Sequence, residues 1–193
     1  MLFVLVSPMK IHDTVLPGVL LIEPRVFGDP RGFLLELWHQ ARYQAGGLPA
    51  QFVQDNLSCS AQGTLRGLHF QHPHAQGKLV SVLQGEVFDV AVDIRVGSPT
   101  FGRWVSAVLS GGNKHQLYIP EGFAHGFCVL SETALFLYKC TDVYTPQAEG
   151  GILWNDPDLG VDWPVRSPIL SEKDTRCPRL REIPPERLPQ YHR

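Results

Sequence analysis

The chain has 193 residues, with 17 lysines and arginines against 19 aspartates and glutamates, and a formal net charge of −2. This length suits one domain with its own core, and 44% hydrophobic with 19% charged residues excludes a disordered chain and a coiled coil. Because a near-neutral chain has no general attraction for nucleic acid, we expect no nucleic-acid partner.

The N-terminus carries a short apolar run at residues 2–6, which Ser7 and Pro8 end. It is too short for a signal peptide or a membrane helix, so we expect a cytoplasmic protein with no membrane partner. Four cysteines without a C-x-x-C pair favour free thiols in a reducing compartment. We interpret residues 1–16 as an N-terminal extension with a first strand.

Short runs rich in Val, Leu, Phe and Thr follow one another, separated by glycine and proline turns. Their spacing of about 8–12 residues is typical of a β sandwich or barrel. The sequence therefore predicts an all-β domain over residues 17–165, with a few short flanking helices. The predicted strands are residues 19–23, 32–37, 50–53, 64–70, 78–84, 86–94, 103–109, 115–119, 125–130 and 133–140.

The clearest strand spans residues 87–94, where Phe88 and Val90 alternate with Asp89 and Ala91. A period of two gives this strand one apolar face and one face that carries carboxylates. A short helix is predicted over residues 38–44, before a pair of glycines.

After residue 165 the composition changes. Residues 166–193 hold seven basic residues and five prolines. We interpret them as a C-terminal segment that wraps the barrel and carries Asp174. A helix start of the S-x-x-D type is predicted at residues 171–174.

Three polar clusters lie on or beside predicted strands, at residues 65–78, 119–127 and 136–139. The turn P-x-G-x-x-H at residues 120–125 follows a histidine-bearing strand by about 50 residues. This arrangement resembles the second half of the cupin motif, which implies a cupin-type jelly-roll barrel.

Cupins usually bind a metal, so a metal centre must be weighed. The cupin template has H-x-H on the first strand, whereas this chain has His69 followed by Gln71. Glutamine is a poor ligand for transition metals, and Lys78 is unfavourable beside a cation. We therefore expect no metal, and a site of His69, His74 and His125 is the alternative.

The other interpretation is acid–base chemistry without a cofactor. A neutral histidine can take a proton from beside a carbonyl, a lysine can stabilise the enolate oxygen, and a tyrosine can return a proton. His69, Lys78 and Tyr138 are residues of these types on predicted strands. Each also has a structural interpretation: a satisfied core histidine, a solvated strand edge and a packed aromatic ring.

Six strings of residues extend this pattern: FVQDN, LRGLHFQ, QGKLV, GEVFDVAVDIR, IPEGFAHGF and LWND. In this order and spacing they resemble the dTDP-4-dehydrorhamnose 3,5-epimerase family over residues 17–174. The resemblance implies a cupin-fold isomerase of dTDP-L-rhamnose biosynthesis. Such an enzyme inverts carbons 3 and 5 of dTDP-4-dehydro-6-deoxy-D-glucose through enolates and gives dTDP-4-dehydro-L-rhamnose. A homodimer without a cofactor is also implied.

The resemblance assigns roles residue by residue. His69 matches the catalytic base, and Asp174 matches the carboxylate that orients it. Tyr138 matches the proton donor on the opposite face, and Lys78 matches the cation that faces the developing enolate. In the family, some substrate contacts serve the neighbouring subunit's pocket across a dimer. The substrate contacts implied here are Arg31, Glu36, Gln54, Asn56, Arg66, His125, Glu149 and Lys173.

Two positions depart from a simple pattern. Strict alternation puts Arg66 and His69 on opposite faces of one strand. If both contact substrate, the strand must twist or bulge, and Gly67 is the natural place. Val143 precedes Tyr144 where many family members carry two aromatic residues.

Alternative functions lie inside and outside this family. Within the fold, a mono-epimerase or a 3,4-ketoisomerase would act on a related dTDP-4-keto-6-deoxy sugar. From other classes, a metal-dependent cupin and a sugar-binding module without turnover remain as hypotheses.

Overall fold

The computed structural model describes residues 9–49 and 51–192. Part of the predicted N-terminal extension, residues 1–8, lies outside this range. The strands, in chain order, are β1 (Lys10–Asp13), β2 (Leu20–Glu23), β3 (Val26–Asp29), β4 (Gly32–Leu35), β5 (Gln54–Ala61), β6 (Leu65–Gln71), β7 (Lys78–Gln84), β8 (Glu86–Asp93), β9 (Trp104–Ser110), β10 (Gln116–Ile119), β11 (Phe123–Val129), β12 (Thr133–Cys140) and β13 (Glu149–Gly151).

Two antiparallel sheets face each other. The larger sheet has the order β1-β2-β10-β7-β12-β5, and the smaller has the order β13-β6-β11-β8-β9. Strands β3 and β4 form a separate hairpin. The chain alternates between the two sheets from β5 to β8 and again from β9 to β13. The architecture is therefore a jelly roll, and the predicted cupin-type all-β fold is confirmed.

The main core lies between the two sheets. Val80 of β7 and Phe136 of β12 belong to one buried cluster with Phe127 and Val129 of β11, and each of these side chains is at most 5% exposed. Alternate residues of each strand point into this space, so burial of apolar surface holds the sheets together.

The chain after β13 covers the outer face of the smaller sheet. Val90 and Val92 of β8 belong to a second buried cluster with Trp163, Leu180 and Leu188. Short 3₁₀ turns connect this segment, at Asp174–Arg176, Leu180–Glu182 and Pro185–Arg187. No helix in the described part of the chain is long and apolar enough to cross a membrane.

The carboxylate face of β8 points into the protein rather than to solvent. Asp89 and Asp93 are both fully buried. Asp93 accepts hydrogen bonds from the Arg95 guanidinium and from the hydroxyls of Ser98 and Thr100. Burial alone would raise the pKa of Asp93, but these donors lower it below its ordinary value.

The predicted strand at residues 50–53 is wrong. Residues 51–53 are irregular, and β5 begins at Gln54. The inward side chains of β5 include Asn56, Ser58 and Ser60, which line a cavity instead of the core. Since this strand has no apolar face, its sequence lacks the alternation on which the prediction depends.

The single α-helix, α1, spans Gln40–Ala45 among the described residues, instead of the predicted 38–44. His39 is extended, and its ring nitrogen accepts a hydrogen bond from the backbone N–H of Arg42. This cap starts the helix two residues later than predicted, so Trp38 lies outside it.

The expected bulge lies in β6. Gly67 and Leu68 lie opposite the single residue Gly126 of β11, because the register of the ladder shifts there. Gly67 has a φ of 134°, which favours glycine. The bulge resets the alternation, so Arg66 and His69 line the same cavity.

Replacement of Gly67 by alanine is expected to destabilise the fold strongly. The new Cβ would lie 2.5 Å from the Gly126 Cα and 3.0 Å from the His125 carbonyl oxygen. Strain and overpacking together should lower the free energy of unfolding by roughly 2–4 kcal/mol, measured by urea denaturation.

The matched control is Gly63→Ala. Gly63 also has a positive φ, 77°, but no described atom lies within 4 Å of the position that a new Cβ would take. Only backbone strain remains there, so the expected loss is about 1–2 kcal/mol. Equal losses in the two variants would contradict the close approach at the bulge.

Candidate active site

A cavity of about 590 Å³ opens between the sheets, beside the edge strand β5. A second cavity of about 250 Å³ adjoins it. His69 of β6, Lys78 of β7 and Tyr138 of β12 line both cavities. Three titratable side chains from three strands therefore lie where the two spaces meet.

His69 is held by a carboxylate of the C-terminal segment. The distance from His69 Nε2 to Asp174 Oδ1 is 2.6 Å, and the Asp174 side chain is 3% exposed. Burial alone would raise the pKa of Asp174, but the hydrogen bond and charge of His69 lower it. An ionised carboxylate can only accept, so His69 Nε2 carries the proton and Nδ1 is left as a base.

A second histidine–carboxylate pair lies deeper. His125 of β11 is the direct ladder partner of His69. Its Nε2 lies 3.0 Å from Asp89 Oδ2 on β8, and its ring stacks on Phe136. Burial lowers the pKa of His125 despite the opposing charge of Asp89, so this ring stays neutral near pH 7.

Lys78 presents its ammonium group to both cavities. Burial lowers its pKa, whereas Cys140, Asp89 and Glu149 act in the opposite direction. Within residues 9–49 and 51–192, no carboxylate forms an ion pair with this ammonium. Its donors are therefore available to an anionic oxygen in the cavity.

Tyr138 lies on the inward face of β12, between Asn56 of β5 and Val80 of β7 in the ladders. Burial is the main cause that raises its pKa, and Arg66 opposes it. The phenol is therefore protonated near pH 7 and can donate a proton.

Other expected substrate contacts surround these groups. Arg66 lines the larger cavity and donates to the Ser60 hydroxyl at 3.1 Å. Gln54, Asn56 and Glu149 line the smaller cavity. These polar groups give the joined cavities donors and acceptors at both ends.

Lys173 connects the two spaces. It lines the larger cavity and forms an ion pair with Glu149 of the smaller one. The Tyr144 hydroxyl also donates to Glu149, at 2.8 Å. Burial alone would raise the pKa of Glu149, but these two partners lower it.

Arg31 and Glu36 do not join the site within this chain. Arg31 lies between β3 and β4, is 89% exposed, and pairs with Asp29. Glu36 follows β4 and pairs with Arg42 beside a different surface pocket. A single chain therefore assembles the other expected contacts without these two.

The alternative metal ligands are not brought together. His74 lies outside both cavities and pairs at 3.6 Å with Asp142, whereas His69 and His125 each hold a carboxylate. In the described part of the chain, no group of three or more His, Cys, Asp or Glu side chains is arranged to hold a metal ion.

Comparison with known proteins identifies the family. A family model described as dTDP-4-dehydrorhamnose 3,5-epimerase matches residues 13–182. The dTDP-4-dehydrorhamnose 3,5-epimerase of Pseudomonas aeruginosa is 60% identical over 168 residues, which cover 86% of this chain and 93% of that protein. The chain belongs to this epimerase family. The resemblance seen in the sequence is thereby confirmed.

Two further relatives show the range of the family. The crystal structure of dTDP-6-deoxy-D-glucose-3,5-epimerase from Legionella pneumophila Philadelphia 1, in complex with dTDP-4-keto-L-rhamnose, has a TM-score of 0.94 and 53% identity. That match covers 96% of this chain and 100% of the other. A dTDP-4-dehydrorhamnose 3-epimerase from Streptomyces niveus is 41% identical over 168 residues, which cover 86% of this chain and 81% of that protein.

Sequence reasoning missed several residues that shape the epimerase cavity. Asp89 was visible as a carboxylate on an alternating strand, but its contact with His125 depends on the ladder between β8 and β11. Ser171, in contrast, was anticipated by the S-x-x-D pattern, and its hydroxyl accepts a hydrogen bond from the Asp174 backbone N–H at 3.1 Å. Ser60 carried no signal of its own.

The lowered pKa of Asp174 gives a prediction for stability. Since the folded state holds this carboxyl ionised, its stabilising contribution is present above its ordinary pKa near 3.9 and is lost as the pH falls below that value. The free energy of unfolding should therefore fall less between pH 7 and pH 3 in Asp174→Asn than in the unsubstituted protein.

Urea denaturation at both pH values measures this difference. Asp162→Asn is the control, because Asp162 is an exposed aspartate outside both cavities. It should keep the pH dependence of the unsubstituted protein. An identical acid loss in Asp174→Asn would remove the argument for a stabilising ionised pair.

Proposed function

We propose that this chain inverts carbons 3 and 5 of dTDP-4-dehydro-6-deoxy-D-glucose and gives dTDP-4-dehydro-L-rhamnose. One observation carries the proposal: His69, Lys78 and Tyr138 meet at the junction of two cavities, and Asp174 holds His69. The names of the relatives support this substrate.

His69 acts as the base. The 4-keto group of the sugar acidifies the hydrogens on carbons 3 and 5. Nδ1 of His69 takes one of these protons, and the C–H electron pair moves into the ring as an enolate with its charge on the carbonyl oxygen. Asp174 stabilises the imidazolium that forms.

Lys78 stabilises the enolate. Its ammonium forms no ion pair with a carboxylate among the described side chains, so the developing oxyanion can take its hydrogen bonds. A donor placed in advance at such a position contributes about 3–4 kcal/mol to the transition state.

Tyr138 returns the proton from the opposite face. Its raised pKa keeps the phenol protonated until the carbanion forms, and transfer of this proton to carbon inverts the centre. Solvent then reprotonates the tyrosinate and takes the proton from His69. Each inversion therefore incorporates one solvent hydrogen without a change of oxidation state, and no cofactor is needed.

The nucleotide occupies the polar surroundings of this junction. Arg66 and Lys173 supply positive charge for the diphosphate, and the half-exposed Tyr144 ring offers a flat face to the thymine.

A mono-epimerase is the second candidate. The 3-epimerase of Streptomyces niveus shares 41% identity with this chain, so the same fold supports inversion at one carbon. The higher identity to 3,5-epimerases favours two inversions. A 3,4-ketoisomerase on a related sugar would instead move the keto group.

Proton NMR of the reaction in heavy water tests the proposal. Deuterium is expected at carbons 3 and 5 of the product. His69→Ala should slow exchange at both carbons by about 10²–10⁴-fold and still bind dTDP. Tyr138→Phe should lose inversion more than exchange, because removal of a proton by His69 remains possible.

His12→Ala is the matched control, since His12 lies on β1 and pairs with Glu23 away from the cavities. It should exchange at the normal rate. If the unsubstituted protein exchanges hydrogen at neither carbon, the proposal is refuted. Deuterium at only one carbon would identify the chain as a mono-epimerase. A shifted keto group identifies the ketoisomerase.

The epimerase is further proposed to act as a homodimer. The outer face of the larger sheet and the adjoining hairpin expose Leu57, Leu83, Phe33 and Leu34, each between 42% and 67% exposed. Apolar surface of this kind marks a protein contact. A two-fold partner on this face would also explain why Arg31 is needed by the family but lies outside its own chain's cavity.

Leu57→Glu is expected to disrupt the dimer, because a charge would enter an apolar contact. Sedimentation should shift from twice the chain mass to the 21.6 kDa monomer. Val108→Glu, on the smaller sheet and 44% exposed, should remain dimeric. A monomeric unsubstituted protein would refute the assembly.

Location in the cytoplasm stays a prediction.

A further inference from the structure

Gln71 occupies the position at which the cupin template has its second metal-binding histidine. Its side chain is 5% exposed and lines the smaller cavity. The amide nitrogen donates to the carbonyl oxygens of His74 and, at 3.1 Å, Val143. The amide oxygen accepts from the Thr145 backbone N–H at 2.8 Å. Both amide hydrogens are therefore used within the protein.

These bonds hold the loop of residues 143–145, which follows β12 and carries Tyr144. The loop is held a second time by Gln54 of β5, whose amide oxygen accepts from the Tyr144 backbone N–H at 2.8 Å. The Tyr144 hydroxyl donates to Glu149, which is the ladder partner of Gln71. Groups on three strands thus fix one aromatic ring.

Packing contributes little to the order of this loop. Val143 is 53% exposed and Tyr144 is 50% exposed, so neither side chain is fixed by burial. The loop takes its position from hydrogen bonds instead, and Gln71 supplies the ones that bracket Tyr144 on both sides in the chain. A buried amide with good geometry is well suited to this task, because its bonds are shielded from water.

We propose that Gln71 is a positioning residue, whose amide holds the 143–145 loop so that Tyr144 presents a preformed face to the nucleobase. The inference rests on the proposed function and names how its nucleotide end is recognised. A ring that is already fixed loses little freedom when the base stacks on it, and this favours binding.

The test compares dTDP binding by calorimetry in the unsubstituted protein and in Gln71→Met. Methionine keeps the volume of the side chain but cannot make the three hydrogen bonds. We expect the Kd for dTDP and the KM for the sugar nucleotide to rise about tenfold, with kcat changed less than about threefold. The split follows because the loop contacts the base and not the reacting carbons.

A double-mutant cycle with Tyr144→Ala separates positioning from general damage. If Gln71 acts through Tyr144, Gln71→Met should weaken dTDP binding little further once the ring is gone. Additive losses would overturn the proposal, as would unchanged affinity in the single variant.

Gln116→Met is the matched control. Gln116 is also a buried amide, 1% exposed, and it bonds Tyr43, Ser81 and the Leu37 carbonyl on the other side of the larger sheet. The Gln116→Met variant should be less stable than the unsubstituted protein but should keep its affinity for dTDP. Equal weakening in Gln116→Met and Gln71→Met would refute a local role for Gln71.

Gln71→Glu serves if the methionine variant does not fold. It retains the acceptor for Thr145 but places a carboxylate against the carbonyl of Val143, so the same loss of dTDP affinity is expected, and normal affinity would overturn the proposal. Failure of the unsubstituted protein to bind dTDP would instead refute the proposed function. Normal binding there, with no effect at Gln71, refutes this inference alone.

Discussion

The hydrogen bond between His69 and Asp174 sets a requirement on the whole chain. Its two residues are 105 positions apart, on the inner strand β6 and on the segment after the last strand. The bond forms only if that segment returns across the sheet to the cavity. Backbone bonds of Ile169 to Gly63 and Leu65 bring it there. Packing of the C-terminal segment is therefore needed to orient His69.

The same segment is held beyond Asp174. The fully buried Asp156 accepts a hydrogen bond from the Leu180 backbone N–H at 2.7 Å, and the Leu153 N–H donates to the Pro178 carbonyl. These contacts lie on the side of the sheet opposite the main core. Burial of apolar surface there stabilises the sheet and also fixes the wall of the cavity that carries Asp174.

Local patterns predicted most of the fold and the inner site. Alternation located β8, and the P-x-G-x-x-H turn led to β11 and His125. The pairing of His125 with Asp89 was beyond local reasoning, because it depends on which strands become neighbours. The exposed place of Arg31, outside both cavities, was equally hidden, since it depends on where the β3–β4 hairpin packs.

Three features of the cavity depart from the regular pattern of a jelly-roll strand. The missed strand β5 turns serines and Asn56 inward, and Gly67 interrupts the alternation of β6. Lys78 is a half-buried cation that forms no ion pair with a carboxylate among the described residues. Each departs from what a stable jelly roll alone would favour. A jelly roll in which every strand kept the regular alternation would fill this space with apolar side chains. The polar strand β5, the bulge and Lys78 leave it open and polar, so these departures from the regular pattern mark the cavity.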